Sequence, residues 1–326
     1  MTADRPARYG IEAMLMDTYQ AHLDDRDGVL ADYIPELASV APDGFGLAIA
    51  TGNGKLFAVG DALHPFTIQS VSKAFTYCLA LELLGREEVL SRVGVEPSGD
   101  AFNAIEFDTH THRPFNPMVN AGAITVTGML RDAKGDQALD FILDRFSRAA
   151  GRPLQIDQAV YASESATGHR NRAISHLLLA VGALKAPVDP VTELYFKQCA
   201  IEVTAVDLAW MGATLANMGE HPVTGEQVFT IRAVRDTLAV MFSCGMYDYS
   251  GNWAFDIGVP AKSGVGGGIV GVVNRQLGIG SYSPRLDAKG NSVRGVAAFR
   301  QLADEMGLHA FDATNDGSSL VTALMR

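Results

Sequence analysis

Helical and extended periodicities are segregated along this chain, and that segregation constrains its architecture more than any other feature. Gly46-Leu47-Ala48-Ile49-Ala50-Thr51 and Lys55-Leu56-Phe57-Ala58-Val59-Gly60 read as two strands, and the Gly52-Asn53-Gly54 between them carries hairpin chemistry. From Thr67 to about Cys244 the apolar spacing is mostly helical, with candidates over 67–84, 120–133, 136–150, 168–184, 190–200, 204–218 and 231–243. Thr204 followed by Asp207 resembles a helix-start box. After Gly245 short apolar runs broken by glycine return, at Val259 to Lys262, Gly268 to Val273 and Gln276 to Ser281. Arg294 to Met306 reads as a closing amphipathic helix with Val296, Phe299, Leu302, Ala303 and Met306 on one face. At the other end, Ile11 to about Asp24 reads as an opening helix and Tyr33 to Leu37 as a turn.

Early and late strands can complete one sheet while the helices between them form a separate lobe. The expectation is therefore α+β, with a mainly antiparallel sheet built from N- and C-terminal strands, rather than alternating βαβ units. At ~100–200 residues per domain, 326 residues suit one large or two interleaved domains. We expect a single catalytic domain over 1–326, with a sheet lobe at 1–66 and 245–326, a helical lobe at 67–244 and a frayed end at 322–326.

Charge and cysteine usage narrow the function. A net charge of −11 argues against a nucleic-acid partner, which needs clustered Lys and Arg. Cys78, Cys199 and Cys244 lie in apolar helical contexts, and an odd number without close pairing reads as reduced core thiols. Met1-Thr2-Ala3-Asp4-Arg5-Pro6 shows no apolar leader core, and no uninterrupted apolar run reaches the ~18 residues of a membrane span. The expectation is a cytoplasmic protein with no membrane partner.

The chemistry is carried first by Ser70 and Lys73, an S-x-x-K step opening the apolar helix marked by Ile68, Val71, Phe75, Leu79 and Leu83, with Thr67 as its expected N-cap. Residues i and i+3 share a helix face, which holds the amine beside the hydroxyl. Serine needs a base to take its proton, and a lysine at its ordinary pKa of about 10.4 is charged at neutral pH. Burial at a positive helix N-terminus would lower that value, and the same N-terminus would aim N–H groups at an oxyanion near Ser70. A bare S-x-x-K match is also compatible with a surface serine beside a solvated lysine.

Other candidates have ordinary readings as well. Lys262-Ser263-Gly264, in Pro260-Ala261-Lys262-Ser263-Gly264-Val265, is a K-[ST]-G triad that recurs in penicillin-interacting enzymes with S-x-x-K, and is equally a glycine-rich turn. Tyr247 could pass a proton if a neighbouring cation lowers its pKa, or could simply bury its ring. Asn120, at a helix start, reads as an N-cap. Glu164 and Asn171 flank the start of the next helix, where Glu164 could cap it or pair with a ligand ammonium. His110 and His112 suggest a metal superficially, but lack a third ligand at short spacing and read as solvated loop residues.

Several blocks together resemble the serine-dependent glutaminases, which share the β-lactamase and penicillin-binding-protein (transpeptidase) fold. The blocks are Gln69 to Lys73, Asn116 to Ile124, Leu194-Tyr195-Phe196, Cys244 to Asp248 and Pro260 to Val265, within a likeness running from Tyr33 to about Gly295. The resemblance implies Ser70 as nucleophile and Lys73 as general base, with Tyr33 and Tyr247 beside them. It implies an oxyanion hole from the N–H groups of Ser70 and Val265, and Asn120, Glu164, Asn171 and Tyr195 as contacts for the amino-acid end of L-glutamine. Lys262, Ser263 and Gly264 support the site. It also implies a homo-oligomer, dimer or tetramer, with no metal or organic cofactor. No Ser-Asp-Asn triplet occurs, which departs from the lactamase pattern. The expected reaction is hydrolysis of L-glutamine to L-glutamate and ammonia. A lactamase-type acyl enzyme and a non-catalytic glutamine-binding module are the alternatives.

Overall fold

The structure, a computed structural model, describes residues 10–32, 34–99, 107–108, 110–185 and 187–312. Among them lie eight strands: β1 (Gly46–Thr51), β2 (Leu56–Gly60), β3 (Phe66–Thr67), β4 (Gln155–Ile156), β5 (Ile201–Val203), β6 (Ala261–Ser263), β7 (Gly268–Val273) and β8 (Leu277–Tyr282). Five form one antiparallel sheet in the order β2-β1-β8-β7-β6. The N-terminal hairpin thus joins the C-terminal strands through the β1–β8 ladder, Gly46 opposite Tyr282 and Thr51 opposite Leu277. This is the α+β arrangement that the segregated periodicities anticipate.

Period-two alternation splits the sheet between two cores. Ala48 and Ala50 of β1, with Val270 and Val272 of β7, face the core built around the helices Ser72–Leu84 and Ala205–Ala216. Leu47 and Ile49, with Ile269 and Ile279, face the opposite core, closed by the helices Ile11–His22 and Val293–Met306 through Leu15, Phe299 and Leu302. Burying each such side chain contributes roughly 1.5–3 kcal/mol. The Ala205–Ala216 helix lies unusually close to the sheet: a Cβ on Gly280 would stand 2.7 Å from Ala209 N. The Thr204–Asp207 capping box starts this helix, each side chain meeting the other's backbone N–H.

The block between the strands is less purely helical than its periodicity suggests. β3, β5 and β4 form a second antiparallel sheet, with Phe66 opposite Val203 and Gln155 opposite Glu202. These strands are two or three residues long, too short to alternate visibly. Thr67 belongs to β3 and does not cap the next helix, which begins at Ser72 after the 3-10 turn Gln69–Val71. The helices Arg86–Arg92, Gln158–Thr167 and Ser250–Asp256 are additions to the anticipated set. The expected 168–184 helix ends at Ala180. The expected turn after the opening helix contains one helical turn, Pro35–Ala38. The 322–326 end lies outside the described residues. No helix among the described residues is long and apolar enough to cross a membrane.

Candidate active site

Ser70 is reached through a strained turn. Gln69 takes a left-handed backbone with φ of 48°, a conformation costing about 1–2 kcal/mol for a residue with a Cβ. Its carbonyl accepts from Ser72 N–H and, at 2.7 Å, from Ser72 Oγ. Ser70 follows, buried, in a turn that runs directly into the Ser72–Leu84 helix, so Ser70 and Lys73 stay on one face. Lys73 is wholly buried, and its Nζ donates to Asn120 Oδ1 at 2.6 Å and Met118 O at 3.3 Å. Burial pushes its pKa down to about 8, against the opposing pull of Cys199 and Glu164.

The hydroxyl paired with Ser70 is that of Tyr247. Tyr247 donates its one proton to Ser263 O at 3.1 Å, which leaves the phenol oxygen to accept from Ser70. Like Gln69, Tyr247 is left-handed, with φ of 57°. Two non-glycine residues with positive φ therefore flank one serine. Lys262 is fully buried, sits 4.0 Å from the Tyr247 ring centre and donates to the same Ser263 O at 2.6 Å. A lowered Tyr247 pKa is not what results: burial pushes it up to about 12. The neighbouring amine is itself desolvated and close to Lys73, both of which disfavour its charge.

Gly264 brings β6 against this turn: a Cβ there would lie 2.9 Å from Ile68 O and 3.3 Å from Ser70 N. Backbone bonds from Val71, Ser72, Gly264 and Gly267 N–H hold the two turns in place. Ser263 Oγ donates to Asn291 Oδ1 at 2.6 Å, fastening β6 from behind.

On the other side stand the amides and the acid. Asn120 is the first residue of the Asn120–Lys134 helix, and Val119 occupies the cap position. Its amide is committed elsewhere: Oδ1 to Lys73, and Nδ2 to Asn171 Oδ1 at 2.9 Å. The N-cap reading of Asn120 is thus displaced; Asn116 Oδ1 instead accepts from Met118 and Val119 N–H. Glu164 lies within the Gln158–Thr167 helix, which Asp157 caps, and still precedes the next helix, His169–Ala180. Glu164 is 6 % exposed, and its Oε2 is buried without a hydrogen-bond partner. Burial pushes its pKa up to about 8, resisted by Lys73 and by a hydrogen bond from Gln69. Tyr195 is buried on the Val188–Cys199 helix, its side chain hydrogen-bonded to Cys199.

Tyr33 lies outside the described residues. His110 and His112 remain exposed on a turn organised by Asp108, which accepts from His110 and Thr111 N–H. No group of three His, Cys, Asp or Glu side chains among the described residues is placed to hold a metal ion. Sequence reasoning passed over Gln69, Ser72, Gln198 and Cys199; only Gln69 and Ser72 had a visible signal, standing inside the S-x-x-K block. A buried hydroxyl with two buried amines and a carboxyl whose Oε2 lacks a partner suit an ammonium-bearing carbonyl compound and a nucleophilic oxygen.

The family model described as Glutaminase matches residues 28–311. "Glutaminase 2" of Bradyrhizobium diazoefficiens is 51% identical over 322 residues, covering 99% of this chain; the chain spans about half, 51%, of that relative's length. "Glutaminase" of Trichormus variabilis is 49% identical over 92% of this chain and 90% of the relative. Among solved structures, Mglu in its tris and glutamate form superposes with a TM-score of 0.90 at 44% identity, over 96% of this chain and 69% of Mglu. The probable glutaminase ybaS gives 0.89 at 37% identity, over 92% and 97%. By family model and by near-half identity along almost its whole length, this chain belongs to the glutaminase family.

Proposed function

We propose that this chain hydrolyses L-glutamine to L-glutamate and ammonia through an acyl-enzyme on Ser70, on a β-lactamase-like fold. The observation that carries the substrate reading is Glu164: a buried carboxyl whose Oε2 has no partner, and whose charge interacts with that of Lys73, suits one α-ammonium, which would draw off the proton that burial holds there. Asn120, Asn171 and Tyr195 supply neutral polar groups for the same amino-acid end. The relative Mglu has been crystallised in a glutamate form, the product of this reaction.

Ser70 Oγ attacks the side-chain amide carbon as its proton passes to the Lys73 amine, which burial holds near a pKa of about 8 and so partly neutral at neutral pH. The carbonyl oxygen becomes an oxyanion between Ser70 and Val265 N–H. The C–N bond breaks as Tyr247, protonated at any working pH because its pKa is about 12, hands a proton to the leaving nitrogen. The phenolate left on Tyr247, with Lys262 4.0 Å from its ring centre, takes its proton back from the water that attacks the ester, while the Lys73 ammonium returns its proton to Ser70 Oγ. Water then opens the ester and releases glutamate. The reading keeps Tyr33 as a further catalytic residue.

The reading extends to a single catalytic domain with sheet lobe and helical lobe, a homo-oligomeric assembly and a cytoplasmic setting. The three buried free thiols suit a reducing compartment. The test is ammonia release from glutamine and asparagine beside nitrocefin turnover. Ammonia from glutamine without nitrocefin cleavage is expected. Nitrocefin cleavage without ammonia would favour a lactamase, and glutamine binding without turnover a binding module.

A further inference from the structure

Beneath the serine turn runs a buried polar chain that no step above uses. Gln198, on the Val188–Cys199 helix, is fully buried, and its Oε1 accepts from Thr127 Oγ1 at 2.9 Å. Its Nε2 donates to Ser72 Oγ at 3.0 Å and Thr76 Oγ1 at 3.4 Å. Ser72 Oγ passes its single proton to Gln69 O at 2.7 Å. Gln69 in turn carries the left-handed φ of 48° immediately before Ser70.

The bonds at Ser72 set a donor order along this chain, although Thr127 Oγ1 also reaches Ala123 O at 3.0 Å and Cys199 also hydrogen-bonds the Ser72 side chain. Because Ser72 spends its proton on Gln69 O, it must accept from Gln198, and only an amide nitrogen can donate there while its oxygen accepts from Thr127. The Gln69 carbonyl is the anchor of the strained turn. Relaxing Gln69 to the right-handed region would turn the Ser70 hydroxyl away from Tyr247 and the Ser70 N–H away from Gly264 and Val265. We propose that Gln198 is a positioning residue for the Ser70 nucleophile, holding the Gln69–Ser70 turn in its reactive geometry through the Ser72 hydroxyl. This rests on the reading of Ser70 as nucleophile.

Gln198→Glu tests it, because a carboxylate keeps the shape and reverses the donor. Ser72 Oγ would then turn its proton to Glu and leave Gln69 O with the Ser72 N–H alone. A protonated carboxyl at 198 has an O–H and restores the order, so the defect should fade at low pH. The experiment measures the rate at which a glutamine-like diazo-ketone labels Ser70, by intact mass and peptide mapping, together with L-glutamate affinity. Wild type, Gln198→Glu, Ser72→Ala and the double variant are compared between pH 6 and pH 8.

At pH 8 we expect Gln198→Glu to label about tenfold or more slowly than wild type, with glutamate affinity within about threefold. The ratio to wild type should recover toward one at pH 6. In the Ser72→Ala background the same substitution should cost less than about threefold, since the two residues act as one unit. Losses that multiply in the double variant and ignore pH, or a single variant that labels at the wild-type rate, overturn the proposal. If Gln198→Glu does not fold, Ser72→Ala alone decides: slow labelling with glutamate binding retained supports the proposal, and wild-type labelling refutes it. Wild type labelled elsewhere than Ser70 instead removes the acyl-enzyme reading, a distinguishable failure.

Discussion

The Nζ of Lys73 lies 2.6 Å from Oδ1 of Asn120, whose Nδ2 reaches Asn171 Oδ1 at 2.9 Å. One amide therefore joins the proposed proton acceptor to the proposed substrate pocket. The amide is neutral, so it fixes the amine without adding charge that would keep it protonated. Burial is then free to hold Lys73 at a pKa of about 8.

Asn120→Asp should undo this balance. A carboxylate at hydrogen-bond distance favours the ammonium, and such contacts raise a lysine pKa by about one to three units. The rising limb of kcat/KM should move to higher pH by a comparable amount, with a large loss at pH 7. Asn120→Ala should lose activity without moving the limb upward. Full pH profiles of the three proteins are the measurement.

Lys73→Arg retains positive charge and cannot supply a neutral amine, because arginine is not deprotonated in proteins. Steady-state rates should fall as far as in Lys73→Ala. Near-wild-type activity in the arginine variant would reduce Lys73 to electrostatic support and contradict its role as general base.

Glu164→Gln separates recognition from chemistry. An ammonium contact worth about 1.5–3 kcal/mol becomes one worth ~0.5–1.5, so kcat/KM for glutamine should fall roughly tenfold or more. N-acetyl-glutamine, poor with both proteins, should change little. Accumulation of acyl-enzyme in this variant, seen by mass, would instead make Glu164 the base that activates water.

The same variant should be more stable. The folded-state pKa of Glu164 is raised from 4.5 to about 8 by burial, so between those values the folded protein keeps a proton that the unfolded chain has released. Stability is lost as pH rises through that window, and glutamine at 164 removes the loss. The Tm advantage of Glu164→Gln should be small near pH 5 and grow toward pH 8. A constant difference across the window would contradict the buried, proton-holding carboxyl.

The long elements were legible because their periodicity is long. β7 was read at its observed bounds, and the Thr204–Asp207 box starts its helix as its spacing suggests. Short pieces carry too few residues for a period, which hides β3, β4 and β5. The 3-10 turn before Ser72 is hidden for another reason: nothing in Gln69 announces a left-handed backbone, whose carbonyl is held by Ser72 N–H and Oγ three residues on. Within the candidate site, Ser70, Lys73, Asn120 and Tyr247 stand in the quoted blocks, whereas Glu164 and Asn171 stand in none and are legible only as polar residues at a helix entry. Their linkage is not legible. That Asn120 spends its amide on Lys73, that Glu164 lies inside a helix, and that burial raises rather than lowers the Tyr247 pKa depend on packing between segments far apart in the chain.

The central claim is a covalent intermediate on Ser70, and the most direct measurement is intact-mass analysis after exposure to a glutamine-like diazo-ketone, with the labelled residue mapped. Wild type should gain one label at Ser70, and Ser70→Ala should gain none while still binding L-glutamate and giving no ammonia from glutamine. A label on Cys78, Cys199 or Cys244, or undiminished turnover in Ser70→Ala, would contradict the account.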